Sequence, residues 1–156
     1  MADTKICQIL DHIKQLLSAI PGALFVDDPS RVTNPSNGVV IMLEWAQERG
    51  FRRQEPDICN AVDVLPVFVT IQCPRTIGQA DTIWKAFSPW HQAVHAVMYA
   101  DRSLGGLAGA RLAGVGPGGV SYLGQQPTTS PEVPDVSRLV LAYDIGFSTA
   151  QDDLTQ

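Results

Sequence analysis

Charge is scarce in this sequence. Asp, Glu, Lys and Arg make up 17% of its 156 residues, against about 25% in ordinary soluble domains. What charge there is runs acidic: 11 Lys and Arg face 16 Asp and Glu, for a net charge of -5. That is the wrong sign for a protein whose affinity comes from neutralising phosphates, so general nucleic-acid binding is disfavoured. Long apolar runs are missing as well. None approaches the roughly 18 residues a membrane span requires, and no membrane partner is expected. Met1 to Lys5 has neither a basic n-region nor a cleavage site, so a soluble protein made where it works is expected. Cysteine is sparse and odd in number: Cys7, Cys59 and Cys73, with no CxxC. This excludes a disulfide framework and fits a reducing compartment, with buried thiols acting as small hydrophobes.

What is present is apolar material, 45% of the chain, and 24 Gly and Pro residues (13 and 11). The length suits one core, read as a single domain over 1–150 with a polar tail at 151–156. Low charge beside ample apolar content has two readings: a surface partly covered by another protein, or a merely charge-poor monomer.

Ile6, Ile9, Leu10, Ile13, Leu16, Leu17 and Ile20 recur at helical spacing, with Asp3 or Thr4 to cap the start and Pro21-Gly22 to end the helix. Ala23 to Val26 and Val39 to Trp45 read as strands joined by a polar loop at 27–38. The charged stretch 46–62 reads as an exposed excursion before a third strand, Val64 to Gln72. Pro66 in that strand marks its beginning, an edge or a bulge. Gly78 to Ala100 has helical period interrupted at Ser88-Pro89, predicting two pieces, 79–87 and 89–99. Short strands are placed near 111–115 and 120–123, and Arg138 to Phe147 closes the fold.

The order predicts an α+β domain of two layers, a mostly antiparallel sheet of four to six strands with both main helices on one face. Two helices cover one side of a sheet only. The other alternation set includes Val40, Met42, Val64, Phe68, Val140 and Ala142, too apolar for a face left to water. A neighbouring subunit or partner is expected to bury it.

No catalytic constellation emerges from the sequence. His91 and His95 stand four apart on a helix, a spacing that chelates metals, but Gln92 occupies the place where a metalloprotease needs its Glu. Packing imidazoles with one satisfied nitrogen explain them better than a small metal-binding enzyme does. Gly114 to Gly119 matches G-x-G-x-x-G without a helix to follow, so it reads as a loop. None of the cysteines carries a nucleophile signature, and Asp27-Asp28 and Asp152-Asp153 read as solvated turns. No cofactor, metal or catalytic residue is assigned. Arg49, Phe51, Arg52 and Arg53 sit among Glu48, Glu55 and Asp57, a mixed-charge set suited to a protein surface. With Met42 and Phe68 they are the interface candidates.

Several segments carry a family likeness: Ile6-Cys7-Gln8-Ile9-Leu10 to Ile20; Leu24-Phe25-Val26; Val39-Val40-Ile41; Leu65-Pro66-Val67-Phe68-Val69-Thr70-Ile71; Gln79-Ala80-Asp81; Ser103-Leu104-Gly105-Gly106-Leu107; and Leu139-Val140-Leu141-Ala142-Tyr143-Asp144-Ile145. In type and order they resemble the bacteriophage tail terminator family, the minor tail protein U-like and tail completion proteins. The resemblance implies a non-enzymatic virion protein forming a ring, usually hexameric, at the head-proximal end of the tail. Such a ring stops tube polymerisation and offers the head a docking surface. Its implied partners are copies of itself, the tail tube protein and a head completion or connector protein. DNA would pass through the lumen without specific binding, and assembly would take place in the bacterial host cytoplasm. Other neck, connector or tube components share the same plan and remain the alternative.

Overall fold

A computed structural model describes residues 4–27, 38–46, 49–53, 60–74, 80–108, 119–128 and 136–150. For 49–53, 60–63, 80–84, 128 and 148–150 only the backbone path is described. Helix α1 spans Lys5–Ser18, and the Thr4 hydroxyl accepts the Cys7 N–H at 3.3 Å as the N-cap. Ile9, Leu10, Ile13 and Leu17 form its buried stripe. Cys7 is exposed, not buried as expected, because it falls one position outside that stripe; Cys73 is buried. Cys59 lies outside the described residues.

The strands are β1 (Ala23–Val26), β2 (Val39–Trp45), β3 (Arg49–Arg53), β4 (Asn60–Pro74), β5 (Val120–Thr128) and β6 (Val136–Ala150). They form one six-stranded sheet, ordered β1-β2-β4-β6-β5, with β3 also paired to β4. Every pairing is antiparallel except β1 with β2. Helix α2 spans Ala80–Ala100. Its Phe87, Val94 and Met98 join the α1 stripe over Ile41, Leu43, Leu65, Val67, Val69, Ile71, Leu141, Tyr143 and Ile145, so both helices contribute to a core on one sheet face. The α+β architecture is the one the pattern predicts.

Three local readings change. The 46–62 excursion is not all loop: its Arg49–Arg53 segment is β3, and β4 begins at Asn60 instead of Val64. Arg, Gln and Glu carry no strand alternation, and pairing along the lengthened β4 supplies the order that composition does not. Pro66 lies inside β4, between β2 and β6, and no strand end is needed to tolerate it. Its carbonyl accepts from Ala46 N–H at 3.1 Å, so its ring nitrogen turns to the same side. There β2 pairs down to Val67 and β3 takes over from Val64. The missing donor falls where the neighbouring strand changes. Pro89 does not split α2, which runs continuously for 21 residues. Burial of Phe87, Val94 and Met98 on both sides of the proline offsets a cost of about 3 kcal/mol for proline in a helix interior. The predicted strand at 111–115, most of the 27–38 loop and the 151–156 tail lie outside the described residues.

Candidate interaction surface

The sheet face turned away from the helices is divided. Near β1, Val40, Met42, Thr70 and Gln72 are buried, Met42 to 2% exposure and Gln72 to 1%. The buried Gln72 amide is satisfied, since its Oε1 accepts from Arg138 Nε at 2.9 Å. Farther along, Val64, Phe68, Val140 and Ala142 are half-buried. The face expected to be bare is therefore buried in its first half and half-buried in its second, and Phe68 has more surface to offer than Met42. Arg49, Phe51, Arg52 and Arg53 fall together on β3, whose backbone flanks this half through β4; their side chains lie outside the described residues.

The two flanks of the sheet differ. On the β5 side, three backbone groups at the start of the strand are already engaged. Tyr122 N–H donates to the Tyr99 hydroxyl at 2.7 Å. Val120 N–H donates to the Arg102 carbonyl at 3.1 Å, and Val120 C=O accepts from Arg102 Nε and Nη2 at 3.1 and 2.9 Å. Beyond them the register shifts between Tyr122 and Gly124, and Pro127 has no donor. A bulge and a proline are devices that keep a strand edge from pairing. The start of the β5 edge is thus closed by Tyr99 of α2 and by Arg102 just beyond it. Gly119 makes this possible: at φ +98° it lies so close to the Arg102 carbonyl that a Cβ would overlap it. The opposite flank is formed by the four-residue β1, with Leu24 at 64% exposure, the end of β2, where Trp45 is 51% exposed, and the backbone of β3 beside β4.

Between α2 and the sheet, His95 is stacked on Tyr99 at 4.7 Å and meets Tyr122 edge-on at 4.6 Å, and its Nδ1 shares a hydrogen bond with the Tyr143 hydroxyl at 3.1 Å. Burial, then the nearby Tyr122 and Tyr99, pushes the Tyr143 phenol well above its usual range, so it stays neutral. His91 packs edge to face on His95, 5.6 Å between centroids, and burial followed by His95 lowers its pKa. His95 thus packs with one nitrogen hydrogen-bonded, and His91 packs through its ring. Among the described residues no three His, Cys, Asp or Glu side chains gather as a metal site.

Beside this cluster a pocket of about 240 Å³ is lined by Phe87, Ser88, His91, Gln125 and Leu139. Phe87 and Leu139 are buried behind it, and Ser88, His91 and Gln125 supply polar groups to its lining. Sequence reasoning reached His91 but not the pocket, because Phe87 and Leu139 meet only in the folded chain. Of the paired acids, Asp27 is exposed with Lys14 Nζ 3.7 Å away. Only Gly119 of the glycine-rich motif is described.

No protein-family model matches the chain, and no curated protein matches it. Among solved structures it is similar to a chain in the "Virion of native gene transfer agent (GTA) particle". The identity is 11% and the TM-score 0.40, over 94% of this chain and 92% of that one.

Proposed function

We propose that this chain is a structural subunit of a phage-type virion, a tail terminator that assembles as a ring at the head-proximal end of the tail. The ring, of six copies in the usual form of the family it resembles, ends tube growth and presents a surface to the head completion or connector protein. The observation that carries the reading is the succession of elements: α1, β1, β2, β4, α2, the turn from Ser103 and β6 lie where the segments resembling tail terminators lie. The half-buried Val64, Phe68, Val140 and Ala142 support it by leaving apolar surface for a neighbour. Net acidity supports it too, since a lumen lined by such subunits repels phosphates and lets DNA pass without sticking. The role is architectural, exercised in the virion tail after assembly in the host cytoplasm.

Negative-stain images of the purified protein test the reading, together with tube polymerisation carried out with and without it. Discrete rings of one size that shorten growing tubes are expected. A protein that itself polymerises into tubes would move the assignment to a tube component. Arg52→Glu with Arg53→Glu, reversing charge on β3, should abolish ring formation or capping with the fold intact. Normal rings and normal capping from that variant would remove β3 from the contact.

A further inference from the structure

We infer that the hydrogen bond between His95 and Tyr143 is an acid-sensitive clasp, which holds the C-terminal part of α2 on the sheet and releases the start of the β5 edge when His95 gains a proton. The inference does not depend on the ring reading. It begins with the direction of one hydrogen bond. Tyr143 is 1% exposed, and among the described residues its hydroxyl has a single hydrogen-bond partner, His95 Nδ1 at 3.1 Å. Burial, then Tyr122 and Tyr99, keep the phenol in its protonated form. If Nδ1 carried a hydrogen, the phenol would have to accept it, and its own O–H would be left buried with no acceptor among the described residues, a costly arrangement. The phenol therefore donates, Nδ1 accepts, and the ring hydrogen of neutral His95 sits on Nε2.

A second ring proton reverses this. Nδ1 of the imidazolium becomes a donor aimed at a donor, and the bond survives only if the ring or the phenol turns. Neither turns without disturbing its neighbours. His95 is stacked on Tyr99 at 4.7 Å and set edge-on against Tyr122 at 4.6 Å. The Tyr99 hydroxyl in turn accepts the Tyr122 N–H at 2.7 Å, and Arg102, 5.2 Å over the Tyr99 ring, holds Val120 C=O. A displaced His95 thus disturbs the same groups that close the start of β5. Facing His95 are His91 and Tyr99 on α2, Tyr122 on β5 and Tyr143 on β6, with Arg102 beyond Tyr99. On β4 the core residues of this sheet face are Leu65, Val67, Val69 and Ile71, none of them titratable. No carboxylate is among these groups to receive the imidazolium N–H, and the fixed charge, Arg102, has the same sign. His91 does not take the proton first: burial, then His95, lowers its pKa.

Amide exchange tests the clasp, read by NMR at Tyr122 at about pH 7.5 and about pH 5.5, across the range in which histidine changes charge. Each rate is divided by that of the unfolded chain at the same pH. In wild type the protection of the Tyr122 N–H should fall about 10-fold on acidification, the equivalent of one hydrogen bond, while the amides of Val69 and Leu141 in the middle of the sheet keep theirs. His95→Gln, which stays neutral, and Tyr143→Phe, which removes the hydroxyl, should each flatten the response. If urea unfolding shows that a variant has lost the fold, the wild-type ring is read directly: long-range proton–nitrogen spectra at neutral pH should show a hydrogen on His95 Nε2 and none on Nδ1. Tyr122 protection that is the same at both pH values, a response that either folded variant keeps, or a hydrogen on Nδ1 at neutral pH overturns the clasp. A loss of protection shared by Val69 and Leu141 would be global unfolding in place of local release, and would overturn it as well.

Discussion

Gly119 and Gly106 offer a matched pair for measuring how tightly β5 is fastened to the end of α2. Both have positive φ, +98° and +88°, but a Cβ on Gly106 meets nothing within 4 Å, whereas one on Gly119 would overlap the Arg102 carbonyl. Replacing either by Ala incurs the left-handed backbone cost, about 1–2 kcal/mol. At Gly119 the methyl must also push Arg102 away from Val120. This weakens the 3.1 Å backbone bond and the two guanidinium bonds to Val120 C=O, together worth about 2 kcal/mol for half-buried groups. Gly119→Ala should therefore lose about 3–4 kcal/mol and Gly106→Ala about half as much. With a urea slope of about 2 kcal/mol per molar, the Gly119 variant should unfold about 1 M earlier than the Gly106 variant. Equal midpoints for the two would refute the idea that the Arg102 contact with β5 bears on stability.

Two further outcomes follow from titratable groups. Burial raises the Cys73 thiol to about 11, and Cys7 is exposed. A thiol reagent at pH 8 should label Cys7 in the native protein and spare Cys73 until urea is added, as peptide mass mapping can show; native labelling of Cys73 would contradict its burial. His91 and Asp101 both have lowered folded-state values, the first from burial and then His95, the second from hydrogen bonds of the Ser103 side chain and the Gly105 and Ser103 backbone. Depressed values mean that the folded state binds fewer protons than the unfolded one in that range. The urea midpoint should therefore fall as pH drops through the ordinary 6.5 of histidine, and again below the ordinary 3.8 of aspartate. In His91→Gln the first step should shrink, and an unchanged first step would assign it elsewhere.

Legibility in the sequence tracked how local the determining physics is. The α1 stripe and the alternations in β2 and β6 repeat within a few residues, so period alone places them. The sidedness of the sheet follows too, because Val67 and Phe68 must point opposite ways. The parallel pairing of β1 with β2 has no local mark, since nothing in Ala23–Val26 states which way its neighbour runs. β3 is hidden because its order comes from β4, and Pro89 misleads because the packing of Phe87 and Val94 outweighs it. The pocket and the closed edge are the least readable. They depend on side chains as distant in sequence as Tyr99 and Tyr122, or Phe87 and Leu139, meeting across elements.

The closed edge also bears on whether the chain ends a structure or continues one. A subunit that propagates by adding strands needs an open edge on both flanks; here the start of β5 is shut. If Tyr99 and Arg102 are what shuts it, the double variant Tyr99→Phe, Arg102→Ala should free Val120 C=O and the Tyr122 N–H. Each half-buried bond lost costs about 1 kcal/mol, so the fold should survive while the exposed strand recruits others. Light scattering should then rise with concentration well before the unfolding midpoint. Adding Gln126→Lys, which places a charge on the exposed part of β5, should return the scattering to the wild-type level. Aggregation that the added charge does not relieve would trace to general destabilisation, and a soluble double variant would show that the bulge and Pro127 close the edge by themselves.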